Sequence, residues 1–334
     1  MSKADICSFY NLNFPSSTRW RLSSAGSFLK RLGLITNPSA GNGFGKLAGQ
    51  VAVAQLQREC EVLDLTGETK AQSEANAQEA INQGLLDGLV VVGGDGAVQQ
   101  GVNLCVAADI PLGIIAAGTG NDAARTLGLP IRDAVAGAGV LLNNIQKPRV
   151  VDVVRAKTST RELYFFGSTN ADFGALVNMR ANSWKWPKGP SRYKLAMVVE
   201  LAKFKPTKYS AIIDGVEKNF EAMLCTIANS QYFGGGMKFA PNALIDDGYL
   251  DIFIVNKISR LELLRVFPKV YTGEHITHPA VEFIRAKNIT LSTATPMPAF
   301  ADGEPVGMAP VQAEIAPKAL KVYATSARTS SVAD

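Results

Sequence analysis

The chain has 334 residues, of which 47% are hydrophobic and 19% charged, and its formal net charge is +5. This length favours two domains over one, and so small a charge gives no reason to expect a nucleic-acid partner. No apolar run reaches the roughly 20 residues that a membrane-spanning helix requires. Basic residues are nonetheless concentrated in one segment, where eight Lys or Arg and a single acidic residue lie between Arg180 and Lys208.

The first 29 residues are rich in Ser and Arg and lack the apolar core of a secretory signal. We expect 1–29 to be an N-terminal arm and 327–334 a tail. The four cysteines are scattered without paired or metal-ligand spacing, which indicates a reducing compartment. The expected location is therefore cytoplasmic.

From residue 30 the sequence alternates strand and helix signals. Strands are predicted up to Asn37 and at 61–66, 89–94 and 112–115; helices are predicted up to Glu59, at 71–83 and 97–108, and from Asn121 onwards. Short strands that alternate with helices predict a doubly wound parallel α/β domain, which we assign to 30–148. A ligand of such a domain lies at the carboxyl ends of its strands.

The pattern changes near Lys147. Short strand candidates follow at 150–155, 162–169, 209–213, 221–228, 250–255, 289–292 and 321–324. One predicted helix, 191–205, interrupts them and ends at Pro206. Short strands separated by turn signals predict a β-sandwich-like second domain over 149–326.

Two glycine-rich loops follow predicted buried strands, in LVVVGGDG at 89–96 and in LGIIAAGTGNDAAR at 112–125. Glycines let backbone N–H groups approach an anion, and the helix that follows each loop points its positive end at the same place. The loops therefore predict a nucleotide phosphate site. Asp95 and Asp122 are candidate Mg²⁺ ligands; the alternative is that each only caps the helix it begins. The segment around Lys46 lacks the P-loop pattern.

The motifs NPSAG, VVVGGDG, PLGIIAAGTGND, ANSQYFGGGMKFAPNALIDDGYLD and ADGEPV occur in that order between residues 32 and 323. Together they resemble the diacylglycerol kinase-like lipid kinase family, which includes bacterial lipid kinases and is related to sphingosine and ceramide kinases. The resemblance implies ATP and Mg²⁺ as cofactors. The nucleotide site that it implies comprises Asn37, Pro38, Ser39, Ala40, Gly41, Thr66, Gly93, Gly94, Asp95, Gly96, Ala97, Val98, Gln99, Gln100, Gly118, Thr119, Gly120, Asn121 and Asp122.

Asp302, in Ala301-Asp302-Gly303-Glu304, matches the family's general base. A carboxylate in that role accepts the proton of the substrate hydroxyl, which is otherwise a poor nucleophile. Asp-Gly is also a strong hairpin signal, so a simple turn is the alternative. Both hold together if the tip of the hairpin faces the cleft between the domains.

The turn LIDDGY matches a second metal site of bacterial members, in which Asp247 would bind Mg²⁺ with the carbonyl groups of Leu244 and Tyr249. The alternative is an acidic turn without an ion. Trp184 to Lys188 and the basic helix after them are the candidates for peripheral contact with a membrane surface, against the alternative of ordinary solvated surface. The two histidines, His275 and His278, are interpreted as structural.

We therefore expect an ATP-dependent lipid kinase that visits the inner face of the membrane, with diacylglycerol as the first candidate acceptor. A sphingoid base or ceramide is an alternative acceptor, and NAD kinase shares the GGDG loop. Ala97, Gln100 and Leu104 depart from the usual Thr, Glu and Gly of the family. The changes at Ala97 and Gln100 make a lipid- or nucleotide-binding regulator without catalysis a third alternative. A homodimer is compatible with the sequence.

Overall fold

The computed structural model describes residues 30–171, 173–184, 186, 192, 195–196, 199–200 and 205–325. The predicted arm and the whole of the predicted tail lie outside these residues, as does most of the predicted helix 191–205. The N-terminal half alternates strands and helices as predicted. Its elements are β1 (Lys30–Thr36), α1 (Phe44–Leu56), β2 (Cys60–Asp64), α2 (Lys70–Asn82), β3 (Gly88–Gly93), α3 (Asp95–Ala108), β4 (Leu112–Ala116), α4 (Asp122–Leu127) and α5 (Ala134–Asn143).

The first four strands form a parallel sheet in the order β2-β1-β3-β4. Every residue of β3 and β4 is buried, because helices cover both faces of the sheet. Val90 and Val92 pack in the cluster that contains residues of α1 and α5, whereas Val91 packs with residues of α2 and α3. The carboxyl ends of all four strands therefore meet at one edge, where the glycine-rich loops begin.

The C-terminal half consists mainly of antiparallel strands around a second apolar core. Its elements are β5 (Arg149–Lys157), β6 (Glu162–Phe165), β7 (Ser168–Asn170), α6 (Phe173–Ser183), β8 (Thr207–Ile213), β9 (Val216–Ala228), β10 (Leu250–Asn256), α7 (Arg260–Val266), β11 (Val281–Ala286), β12 (Asn288–Thr293), β13 (Pro298–Ala301), β14 (Glu304–Met308) and β15 (Val311–Val322). The strands follow the path β14-β13-β7-β9-β8-β12-β15; β10 and β11 extend from β9, and β5 and β6 from β15. This architecture is the α/β plus all-β fold that the sequence predicts.

Strand β15 joins the two halves. Its last residue, Val322, pairs in parallel with Leu112 of β4, while most of the strand pairs with β5 and β12. The next residue, Tyr323, is 2% exposed and lies in the core cluster of the N-terminal half. A Cβ atom on Gly88 would lie 2.4 Å from the Tyr323 hydroxyl oxygen, so glycine is needed where the ring enters.

Several predicted elements differ from the observed ones. The predicted strand 162–169 is two strands, β6 and β7, separated by Phe166 and Gly167. Strand β15 begins at Val311, ten residues before the predicted strand 321–324. Helices α5, α6 and α7 were not predicted from the sequence, and neither were strands β11, β13 and β14. The three strands have only four to six residues, and long-range pairing decides them.

Candidate active site

The two glycine-rich loops touch each other. A Cβ atom on Gly118 would lie 2.4 Å from the Cα atom of Gly94, so neither loop has room for a side chain at this contact. Asn121 has a positive φ of 58°, and its side-chain amide accepts a hydrogen bond from the Gly118 nitrogen and donates one to the Gly118 carbonyl, both at 2.9 Å. These bonds fix the second loop and leave Thr119 and Gly120 at the wall of a cavity.

Asp95 is the first residue of α3, but its carboxylate holds the start of another helix. Its Oδ1 accepts hydrogen bonds from the backbone nitrogens of Asp122 at 2.7 Å and Ala123 at 3.3 Å, at the beginning of α4. A Cβ atom on Gly120 would lie 2.6 Å from the second oxygen of Asp95. Asp95 therefore links the two loops, a role wider than capping its own helix.

Asp122 links the two halves of the chain. Its carboxylate oxygens accept hydrogen bonds from the backbone nitrogens of Gly235 and Gly236, each at 2.7 Å. Gly234, Gly235 and Gly236 all have positive φ values, a conformation that favours glycine. The sequence GGG thus forms a loop whose amides bind a carboxylate from the other half.

Asp302 occupies the tip of the hairpin between β13 and β14. Asp302 and Gly303 have φ values of 47° and 80°, as a tight two-residue turn requires. The carboxylate turns inward and accepts hydrogen bonds of 2.8 to 3.1 Å from the backbone nitrogens of Phe166, Gly167 and Ser168. The structure thus shows both the hairpin turn and a carboxylate that faces the cleft.

Burial raises the pKa of all three carboxyl groups, and the charge of Asp95 adds to the shift in the other two. Burial, with a smaller contribution from the charge of Asp95, raises the pKa of Asp302 to about 6. Burial and the charge of Asp95 likewise raise the pKa of Asp122 to about 6, and burial raises the pKa of Asp95 itself. A carboxyl group with a pKa near 6 is ionised at neutral pH and is a better proton acceptor than an ordinary aspartate.

The three carboxylates line one end of a cavity of about 500 Å³. We call this end the acidic rim, defined by Asp95, Asp122 and Asp302. The rest of the cavity, which we call the apolar bore, extends between β9, β10 and α7. Its walls include Leu224, Phe239, Phe253, Val255, Leu263, Val266, Phe267, Val270 and Val281.

The structure places the other predicted nucleotide residues in three groups. The loop from Asn37 to Gly41 lies beside the rim-forming loops, because the Asn37 nitrogen donates to Val92 and a Cβ atom on Gly41 would lie 2.3 Å from the Ala117 carbonyl oxygen. Gly93, Gly94, Gly96, Ala97, Val98, Gly118, Thr119 and Gly120 belong to the two glycine-rich loops or the first turn of α3.

The third group makes structural contacts. The Thr66 hydroxyl accepts a hydrogen bond from the Thr36 nitrogen and so ties β1 to the segment after β2. The side chain of Gln99 donates to the Tyr164 carbonyl, and that of Gln100 to the Lys70 carbonyl. These two glutamine amides brace α3 against its neighbours, and their part in nucleotide binding stays a prediction.

In the predicted second metal site, the Asp247 carboxylate pairs with the Arg285 guanidinium. The guanidinium carbon of Arg285 also lies 4.4 Å from the centre of the Tyr249 ring, and Leu244 is exposed. The negative charge of Asp247 thus already has a cationic partner in the protein. This donor set does not fit a metal ion as it stands, and the site remains a prediction.

Within Trp184 to Lys188, the first part of the predicted membrane-contact region, only Trp184 and Trp186 are described. Trp184 packs against Val177, Ala181 and Ala196, whereas Trp186 is 80% exposed. His275 is buried in the wall of the bore, with its Nε2 atom 2.9 Å from the Phe239 carbonyl oxygen. His278 lies 3.2 Å from a carboxylate oxygen of Glu262, which fits the structural interpretation.

Two parts of the site were missed in the sequence. The glycine loop 234–236 lies within the motif ANSQYFGGGMKFAPNALIDDGYLD, but no sequence pattern links its amides to Asp122. Helix α7 does carry a signal, since Ser259 and Glu262 have the spacing of a capping box, and the Ser259 hydroxyl accepts from the Glu262 nitrogen at 3.1 Å. That signal predicts the start of a helix, which the structure places beside the bore.

Comparisons with known proteins match both halves of the chain. A family model described as the diacylglycerol kinase catalytic domain matches residues 31–156, and one described as the YegS C-terminal NAD kinase beta sandwich-like domain matches 167–324. Diacylglycerol kinases of Mycobacterium tuberculosis are 34% identical over 291 residues, which cover 86% of this chain and 93% of the relative. The diacylglycerol kinase of Bacillus subtilis is 28% identical over 84% of this chain and 92% of its own length.

A crystal structure of a diacylglycerol kinase from Bacillus anthracis has the same fold, with a TM-score of 0.67 and 23% identity over 89% of this chain and 98% of that one. The two family models lie in the order that the predicted halves require, and the 34% identity extends through both of them. The predicted resemblance, fold class and ATP-dependent lipid kinase activity are thereby confirmed. This chain belongs to the diacylglycerol kinase family of lipid kinases.

Proposed function

We propose that this lipid kinase transfers the γ-phosphoryl group of ATP to the hydroxyl group of diacylglycerol. The observation that carries the proposal is one cavity with an acidic rim and an apolar bore. The bore suits acyl chains, because it offers apolar contacts and few polar partners. A soluble dinucleotide, the acceptor of an NAD kinase, would leave its hydroxyl and phosphate groups without partners there.

In the proposed reaction, the Asp302 carboxylate accepts the proton of the lipid hydroxyl while the hydroxyl oxygen attacks the γ-phosphorus of ATP. The bond from that phosphorus to the bridging oxygen breaks, and ADP leaves. Three backbone amides hold the Asp302 carboxylate in one orientation, which favours proton transfer in a fixed geometry. The glycine-rich loops offer the backbone N–H groups of Gly94, Gly96 and Gly120 to the phosphate oxygens.

The residues of the rim fit Mg²⁺, which commonly takes one or two protein carboxylates and completes its shell with water and phosphate oxygens. In the described part of the chain, no group of three or more His, Cys, Asp or Glu side chains forms a ready-made metal site. Asp95 is the better ligand, since both oxygens of Asp122 already accept hydrogen bonds. When bound, the ion neutralises phosphate charge.

The test is an assay with ATP, Mg²⁺ and one acceptor at a time: diacylglycerol, sphingosine, ceramide or NAD. Mass spectrometry then measures the gain of one phosphate, with the Asp302→Asn variant run in parallel as the blank. We expect phosphatidic acid from diacylglycerol and little product from the others. A faster reaction with ceramide or sphingosine would overturn the choice of acceptor, and a product from NAD alone would overturn the lipid site.

A further inference from the structure

Helix α7 and the turn after it expose a line of apolar side chains. Leu261 is 71% exposed, Leu264 is 51% exposed and Tyr271 is 49% exposed. Leu261 and Leu264 are three residues apart and therefore lie on the same face of the helix. We call these three residues the α7 ridge.

The opposite side of the same segment forms a wall of the apolar bore. Leu263, Val266 and Val270 line the bore, and each is less than a tenth exposed. Tyr271 lines the bore and is also half exposed to solvent. One layer of side chains therefore separates the ridge from the bore, so a lipid that leaves a bilayer under the ridge has a short apolar path inward.

Basic side chains flank the ridge. Arg265 and Lys269 are exposed, and neither forms an ion pair with an acidic side chain among the residues that the structure describes. The acidic residue of the helix, Glu262, faces His278. Exposed leucines beside unpaired basic groups match the apolar interior and anionic headgroups of a bilayer.

We propose that the α7 ridge docks on an anionic bilayer and delivers the lipid acceptor into the bore. The proposal rests on the proposed function, because only an acceptor held in a membrane needs this route. It names a surface distinct from the predicted stretch at Trp184 to Lys188. Seated on headgroups, the ridge removes its leucines from water and places the bore over the layer that holds the substrate.

The experiment measures sedimentation of the full chain with vesicles of equal parts phosphatidylcholine and phosphatidylglycerol. We expect Leu261→Asp/Leu264→Asp to lower vesicle binding about tenfold, and Arg265→Glu/Lys269→Glu to do the same at low salt. The matched control is Leu47→Asp, an exposed leucine on α1. Phosphorylation of a short-chain diacylglycerol dispersed in detergent should be unchanged in all three variants, since none of these residues lines the cavity.

Vesicle binding that survives the ridge substitutions, or that falls equally in the Leu47→Asp control, would overturn the proposal. Light scattering tests the other occupant, a second copy of the chain. If the wild-type chain is a dimer and the ridge substitutions convert it to a monomer without weakening vesicle binding, the ridge is a dimer interface. The short-chain assay separates this proposal from the previous one: a wild-type chain inactive in that assay but bound to vesicles would contradict the function and leave the ridge standing.

Discussion

The acidic rim and the apolar bore are built by different means. At the rim, backbone amides from a distant segment hold each carboxylate: the start of α4 for Asp95, the glycine loop 234–236 for Asp122, and residues 166–168 for Asp302. In the bore, apolar side chains such as Phe253 and Leu263 pack against one another. We therefore expect activity to depend strongly on single polar atoms at the rim. In the bore, activity should change gradually with the shape of the apolar side chains.

The largest expected effect is that of Asp302→Asn, which keeps the shape of the side chain and removes the proton acceptor. We expect kcat to fall by about 10²- to 10⁴-fold, as loss of a general base does. The measurement is steady-state phosphorylation of diacylglycerol, with the melting temperature checked in parallel.

Asp214→Asn is the matched control for that variant. Asp214 also has a φ of 47° in an Asp-Gly turn, and its carboxylate accepts hydrogen bonds from the backbone nitrogens of Lys287 and Asn288. It lies outside the cavity lining. Equal losses of kcat in the two variants would mean that hairpin stability, and not proton transfer, accounts for the effect.

The pH dependence offers a second way to test the rim. Because the pKa of Asp302 and that of Asp122 are raised to about 6, both groups become protonated between pH 7 and pH 5. We expect kcat/KM to fall about tenfold for each pH unit below about 6 as the base is lost. A profile that stays flat down to pH 4.5 would contradict the role of Asp302.

The free energy of unfolding should rise, and not fall, as the pH is lowered over the same range. A carboxyl group with a folded pKa above its unfolded value of 3.8 binds its proton more tightly in the folded state. Its contribution to the free energy of unfolding is therefore largest below about pH 4 and is lost as the pH rises to about 6. If Asp302 and Asp122 dominate the pH dependence, the melting temperature near pH 5 will be no lower than at pH 7. Activity lost near pH 5 would then not arise from unfolding.

The next effect concerns the link between the halves. Asp122→Asn removes the charge that accepts hydrogen bonds from the Gly235 and Gly236 amides. We expect hydrogen exchange of these amides to quicken about tenfold, since hydrogen bonds to a charged group are the stronger kind. The amides of 166–168, held by Asp302, are the internal control, and equal quickening there would indicate general loosening.

The smallest expected effect lies in the bore. Val255→Phe adds volume to a bore wall and should lower kcat/KM about tenfold for long-chain diacylglycerol, with a smaller change for short chains. Val216→Phe, at a position 68% exposed, is the control. An equal loss of kcat/KM for diacylglycerols of all chain lengths would mean that the acyl chains do not bind in the bore. The proposed difference between rim and bore would then not hold.

The sequence predicted the rim better than the bore for a physical reason. Backbone that approaches an anion or turns with positive φ requires particular residues, so Gly94, Gly118 and the Asp302-Gly303 turn leave visible motifs. Apolar walls accept many side chains, and those of the bore come from segments that meet only in the folded chain.

Long-range contacts also explain why two predicted strands have the wrong bounds. The amides that hold Asp302 lie about 135 positions earlier in the chain, so no local pattern marks the break between β6 and β7. Strand β15 did carry a readable signal, because VQAEI at its start alternates buried and exposed residues. Pro317, Lys318 and their neighbours interrupt the alternation after Ile315.

The return of β15 to the first sheet bears on how the chain matures during synthesis. Leu112 gains its partner Val322, and the space above Gly88 is filled by Tyr323, only after some two hundred intervening residues have left the ribosome. The nucleotide-binding half of the nascent chain therefore has an incomplete core until Val322 and Tyr323 have been synthesised. We expect chaperone contact during translation to concentrate on the period before that point.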